Sequence, residues 1–167
     1  MPGDHELWSK LSRGDVAAFE GFFRAHAPRL RSFLRVYLPD SQAAEDVAQE
    51  TFLQLWKHPN GYNPSRSSLK SYVFGIARKR AADWWRRHPT SGERSTERPV
   101  LGEGFGVLVK DAFDQLDSDS RSVLWLREVE GYSYEELAQI LDIPMGTVKS
   151  RLFTAREELR RVWKSGN

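Results

Sequence analysis

The sequence predicts an all-α protein built as two small helical domains joined by a flexible linker. Three observations predict it. Apolar residues recur at spacings of three and four through every long segment, and no run alternates with the period of two that a strand requires. A stretch rich in proline, glycine, serine and threonine, residues 89–106, interrupts the pattern. The length, 167 residues, suits one large domain or two small ones. The division expected is 1–88, a linker over 89–106, and 107–167, the last a helix-turn-helix (winged-helix-like four-helix) domain.

Taken in order, Val16 to Leu38 reads as a helix with Phe19, Phe22, Phe23, Leu30, Phe33, Leu34 and Tyr37 near helical spacing. Asp15 suits its N-cap. Pro28 falls inside, where a kink or break is expected, and Pro39 ends the segment. A second helix runs from about Gln42 to Lys57 on Ala44, Val47, Ala48, Phe52, Leu55 and Trp56, before the breakers His58-Pro59-Asn60-Gly61. A third spans about Leu69 to Arg87. Residues 89–106 hold two prolines and four glycines with little apolar content, too little to offset the entropy of ordering them. Helices resume near Val107, and Leu116-Asp117-Ser118-Asp119-Ser120 marks a turn and a new start.

Composition excludes more than it selects. Apolar residues make up 40% and charged residues 29%, ordinary for a globular chain, and the net charge is only +2. Cysteine is absent, which removes disulfides, thiolate metal sites and cysteine nucleophiles. His5, His26, His58 and His88 lack ligand spacing, so no metal site is expected. No apolar run reaches the length of a membrane span, so direct membrane insertion is not expected.

Ser133 to Arg161 carries the most specific signal. Ser133 and Glu136 have capping-box spacing, opening a helix whose apolar positions are Leu137, Ala138, Ile140 and Leu141. Asp142-Ile143-Pro144 breaks it, and Pro144 suits the first turn of the next helix. Val148, Leu152, Ala155 and Leu159 form the buried stripe of that second helix. From Met145 onward there are six Lys/Arg against two Asp/Glu, whereas Val107 to Pro144 has three against nine. A helix pair with its basic excess on the second member matches what major-groove docking requires. The bland reading is a helical hairpin with a solvated basic face.

Arg66 to Arg87 is a second basic surface, with seven Lys/Arg and one acidic residue, Asp83, interleaved with Tyr72, Phe74, Trp84 and Trp85. Basic residues track phosphates and aromatics stack on unpaired bases, a mixture that suits single-stranded DNA. Most of these aromatics are expected in the core all the same. Ala43 to Lys57 adds Glu45, Asp46, Gln49 and Glu50, an acidic and amide face that reads either as solvated surface or as a docking face for a basic partner.

Those segments carry a resemblance. AAEDVAQETFLQLWK, Ala43 to Lys57, resembles the polymerase-binding helix of bacterial RNA polymerase sigma factors, and SYEELAQILDIPMGTVKSRLFTAREELRR resembles the promoter-reading helix-turn-helix of their extracytoplasmic-function (ECF) group. The likeness covers about Leu7 to Trp163. It implies a specificity subunit rather than an enzyme, with no catalytic residue and no cofactor. The implied partners are core RNA polymerase, through its clamp helices and flap, and promoter DNA, duplex and melted. Most members are also held by an anti-sigma factor, often membrane-bound, so the implied location is the bacterial cytoplasm, with tethering at the inner membrane through that partner.

By position, the resemblance assigns Asp46, Gln49, Glu50, Phe52 and Trp56 to the polymerase. It assigns Tyr62, Asn63, Arg66, Ser67, Lys70, Tyr72, Arg78, Lys79, Asp83, Trp84, Arg86 and Arg87 to the −10 element, where a flipped base is held. It assigns Gly146, Thr147, Lys149, Ser150, Arg151, Phe153, Thr154 and Arg156 to the −35 duplex. Lys79 stands where members often have Asn, and Thr154 where they often have a basic residue, so the promoter letters do not carry over. The competing readings are a free-standing helix-turn-helix regulator acting as a dimer, which leaves the Ala43 to Lys57 helix unemployed, and a nuclease, for which no site stands out.

Overall fold

The computed structural model describes residues 3–89 and 112–165. Among them the regular structure is entirely helical. The linker after residue 89 and the resumption near Val107 lie outside the described residues.

Helix α1 (Asp4–Ser12) straps the first domain: its Trp8 indole donates to the Pro59 carbonyl at 2.9 Å, and Asp4 accepts from the Leu69 amide at 3.2 Å. Helix α2 (Val16–Tyr37) starts as expected, with the Asp15 carboxylate accepting from the Ala18 amide at 3.1 Å. The break expected at Pro28 does not occur, because Pro28 and Arg24, whose carbonyl loses its helical partner there, both lie on the solvent side. The buried face of α2 is Phe22, Ala27, Leu30, Phe33, Leu34 and Val36. Leu38 turns extended ahead of Pro39 and ends the helix.

Helix α3 (Ser41–Lys57) is capped by Asp40, and α4 (Leu69–Arg87) by Ser68. A short 3-10 turn, Pro59–Gly61, lies between them, where the breaker cluster stands. Helices α2, α3 and α4 pack on one another. Phe23 meets Phe52 edge-on at 4.8 Å and Phe19 meets Trp56 at 5.1 Å, so aromatic contacts close one end of this bundle.

In the second domain, α5 (Ser118–Leu124) is capped by Asp117 and runs into one π-helical turn, Trp125–Val129. Helix α6 (Tyr134–Leu141) opens with the full capping box: Glu136 N–H donates to Ser133 Oγ at 3.1 Å, and Ser133 N–H to the Glu136 carboxylate at 3.0 Å. Asp142 ends α6 in the left-handed region at φ 55°, a conformation that Asp tolerates better than most side chains. Helix α7 (Met145–Ser165) follows. Pro144 therefore sits just ahead of the first turn rather than within it, and its carbonyl accepts from the Thr147 and Val148 amides. Val148, Leu152 and Ala155 pin α7 to α5 and α6. Ser133→Ala deletes the reciprocal cap and should cost about 1 kcal/mol. Thermal unfolding checks it, with an expected fall in Tm of about 2–4 °C.

The two domains touch. Helix α6 packs on α4, and α5 on α2. A buried arginine stitches the second contact: the Arg121 guanidinium donates to the Val36 carbonyl at 3.1 Å and also to Leu116 within its own domain. Phe74 of α4 meets Tyr132 at 5.6 Å across the first contact.

Candidate functional site

Three surfaces gather the residues singled out above. On α3, Asp46 and Gln49 are exposed and Trp56 is half-buried. Phe52 is 3% exposed and belongs to the core, so it supports this face from behind. Glu50 is drawn inward to Arg80 at 3.3 Å, and Glu45 pairs with Arg31 at 2.7 Å. The residue missed is Leu53, 49% exposed. It falls seven positions after Asp46 and four after Gln49, hence on the same face, and its helical spacing was the available signal.

The second surface is the loop before α4 together with α4 itself. Tyr62 does not face outward: it is 3% exposed, and its phenol donates to the Ser67 carbonyl at 2.7 Å. Burial, helped by the charge of Asp4, pushes its pKa up to about 12, so it is a neutral strut for the loop. Asn63 folds the loop tip, its side-chain oxygen accepting from the Ser65 amide and hydroxyl. Arg66, Lys79, Arg86 and Arg87 are exposed, and Arg78 is half-buried. Asp83 is paired with Arg86, and Trp84 stacks on His88 at 4.1 Å. Phe74 is fully buried, as expected of most aromatics here, and Tyr72 is half-buried. A cleft lies over this helix, lined by Gln54, Ser67, Tyr72, Lys79 and Arg80 together with Gln139 and Asp142 of the second domain.

Elsewhere the domains share a polar seam that sequence reasoning missed. Glu130, its side chain 4% exposed, lies 3.7 Å from Lys70 Nζ and 3.6 Å from Arg29. Burial outweighs both cations and pushes its carboxyl up from the usual carboxylate range. Lys70 also stands over the Tyr132 ring at 4.9 Å. No local pattern marks Glu130: Lys70 stands 60 positions before it and Arg29 101, and only the fold brings them together.

The third surface is α7. Gly146, Lys149, Ser150, Phe153 and Thr154 are exposed, with Thr147 and Arg151 half-buried. Phe153 is 67% exposed, more than any other large apolar side chain described. Arg156 is tied to Glu128 at 2.9 Å, a hydrogen bond that raises its already high pKa. Among the described residues no cluster of His, Cys, Asp or Glu could hold a metal, and no helix is long and apolar enough to cross a membrane.

Comparison with known proteins shows the family. Residues 22–89 match the family Sigma-70 region 2, and residues 107–159 match Sigma-70, region 4. The chain is 30% identical to the RNA polymerase sigma-H factor of Pseudomonas aeruginosa, over 95% of this chain and 93% of that one. It is 28% identical to the ECF RNA polymerase sigma-E factor of Escherichia coli K12, over 93% and 92%. Among solved structures it resembles the sigma factor RpoE of Bartonella quintana, determined with the anti-sigma factor NepR, at TM-score 0.72 and 26% identity over 89% of this chain and 98% of that one. It shares its fold with CnrH, determined with the cytosolic domain of CnrY, at TM-score 0.75 and 22% identity over 98% and 99%. With matches across both domains and along nearly its whole length, the chain belongs to the bacterial RNA polymerase sigma factors of the ECF group.

Proposed function

We propose that the three surfaces divide the work of promoter-specific initiation among themselves. The stripe of α3 made by exposed Asp46, Gln49 and Leu53 with half-buried Trp56 docks on the core polymerase at its clamp helices. The loop from Asn63 and the basic length of α4 take the unpaired −10 strand. Helix α7 enters the major groove of the −35 element with Lys149, Ser150 and Phe153 toward base edges. The domain limits that serve this division are 1–88 and 107–167, with 89–106 as tether. The tether lets two modest DNA sites act together through effective concentration.

The observation that carries the reading is the pair of open surfaces on separate domains. An exposed leucine between acidic and amide side chains on α3, and an exposed phenylalanine between basic and hydroxyl side chains on α7, have no structural use among the described residues. A free-standing regulator would use the second and leave the first idle. In this role the protein does no bond chemistry of its own. Regulation by an anti-sigma factor, as in the Bartonella complex, fits the same surfaces, and such a partner would set whether the protein is held at a membrane.

The test is transcription in vitro with purified bacterial core polymerase on fragmented genomic DNA. Start sites that require the protein and share two spaced motifs are the expected outcome. Binding to duplex DNA without any binding to core polymerase would replace this reading with the free-standing regulator.

A further inference from the structure

Helix α1 has no task in the scheme above, yet it reaches both ends of the loop that leads into α4. Its Trp8 indole donates to the Pro59 carbonyl at 2.9 Å, in the 3-10 turn just before the loop. Its Asp4 carboxylate accepts from the Leu69 amide at 3.2 Å, where the loop ends and α4 begins. Asp4 and Trp8 stand four residues apart on one helix, hence on one face, and together they set the separation of the two ends.

Between those ends the loop is held from within. The Tyr62 hydroxyl donates to the Ser67 carbonyl at 2.7 Å, and the Arg66 amide to the Asn63 carbonyl at 3.0 Å. The Tyr62 and Tyr72 rings lie 5.3 Å apart, which seats the loop entrance on α4. Gly61 comes so near that a Cβ there would lie 2.6 Å from the Tyr72 hydroxyl oxygen. At the exit, the Ser68 hydroxyl takes the Ser71 amide at 3.1 Å, and the Leu69 amide goes to Asp4.

We propose that α1 is a positioning element for −10 capture: Asp4 and Trp8 hold the 62–68 loop in its receiving shape before the unpaired strand arrives. The inference rests on the assignment of this loop and α4 to the −10 element. It adds two positioning residues, neither of which touches DNA. A site that grips a base must be held to within about 0.5 Å, and a loop that orders only on binding loses affinity to the cost of ordering. The ties are separable from the fold. Leu11, 2% exposed, anchors α1 to the bundle with Leu7 packed against the same core, so α1 stays docked when its polar bonds are cut.

Asp4→Ala combined with Trp8→Phe removes both bonds and keeps the apolar anchor. Asp4→Asn is the conservative control, because its side-chain oxygen still accepts from the Leu69 amide. Each protein is assembled with core polymerase and titrated onto a fluorescein-labelled single strand carrying the −10 sequence found by the transcription test. Strands with one base changed are titrated alongside. The double variant should bind the −10 strand about tenfold more weakly, the loss due to two modest hydrogen bonds, and Asp4→Asn should stay within about twofold of the wild type. Selectivity against the changed strands should shrink in the double variant, because a loop that adapts its shape rejects less. Binding to core polymerase and to the −35 duplex should not change.

Wild-type affinity and selectivity in a double variant of normal melting temperature would overturn the proposal and leave α1 a strap for the bundle. An equal loss at the −35 duplex would overturn it as well, since that damage belongs to the whole fold. Arg66→Ala with Lys79→Ala, two exposed cations, tests the underlying assignment in the same titration. Unchanged strand binding there would remove the −10 assignment and this inference with it. Weakened binding there, with none in the α1 variant, would remove only the role of α1.

Discussion

Asp46→Arg combined with Leu53→Arg is expected to abolish binding to core polymerase, with an affinity loss of at least about 100-fold, while leaving the fold intact. Both side chains are exposed on α3 and neither supports the domain. Among the described residues the Asp46 carboxylate accepts from the Gln42 amide one turn earlier, at 2.9 Å on the exposed surface. Placing two cations on a face that meets a basic partner adds like-charge repulsion, and losing an apolar anchor at the centre of a contact typically costs ~2 kcal/mol or more. Pull-down of the purified core enzyme measures it, with melting temperature as the control for folding. Retention of wild-type binding by a well-folded double variant would remove α3 from its role. Glu50 is the poorer target, because its ion pair with Arg80 at 3.3 Å ties α3 to α4, and its loss would confound docking with stability.

On α7, Lys149→Ala and Phe153→Ala should each weaken binding to a −35 duplex selected for the wild type. A lost base contact costs ~1–3 kcal/mol, so roughly 5- to 150-fold in affinity for each change. Salt and sequence dependence tell the two residues apart. If Lys149 reads a base edge, its loss relaxes preference at one position. If it touches a phosphate, binding falls evenly across sequences and the salt slope drops by about one. Phe153 carries no charge, so its loss should leave the salt slope unchanged while lowering preference for the base whose apolar edge it meets, most simply a thymine methyl. Ser150 is less informative, since its hydroxyl already donates to the Thr147 carbonyl at 3.0 Å. Fluorescence anisotropy over a salt series is the measurement, and unchanged affinity in both variants would take α7 out of the groove.

Much of this layout is legible without coordinates because helix signals are local. Asp15, Ser68, Asp117 and Ser133 each cap a helix where the sequence reading starts one or allows a start. Each does so by a bond to an amide three residues away, and such chemistry needs no tertiary partner. Pro28 shows the limit. Proline's penalty depends on whether the orphaned carbonyl faces core or water, and that is settled by which side of α2 meets α3 and α4. Tyr62 and Phe52 show a related limit. Motif position says that they belong to a working segment, and only packing says that they hold it up from beneath.

By itself the sequence determined α2, α3 and α4 to within a residue or so at their ends, though not α1, together with the division of charge between the two halves of the second domain and the sigma-factor resemblance that joins the α3 and α7 segments. These are properties of spacings of three and four, written along the chain. Tertiary structure alone decided that Glu50 is spent on Arg80 and that Glu130 is buried against Lys70 and Arg29. Those outcomes depend on where one domain's surface meets another element far along the chain. Burial and ion pairing are set by that meeting, because a carboxylate's cost and worth change with the dielectric and the charges around it rather than with its neighbours in sequence.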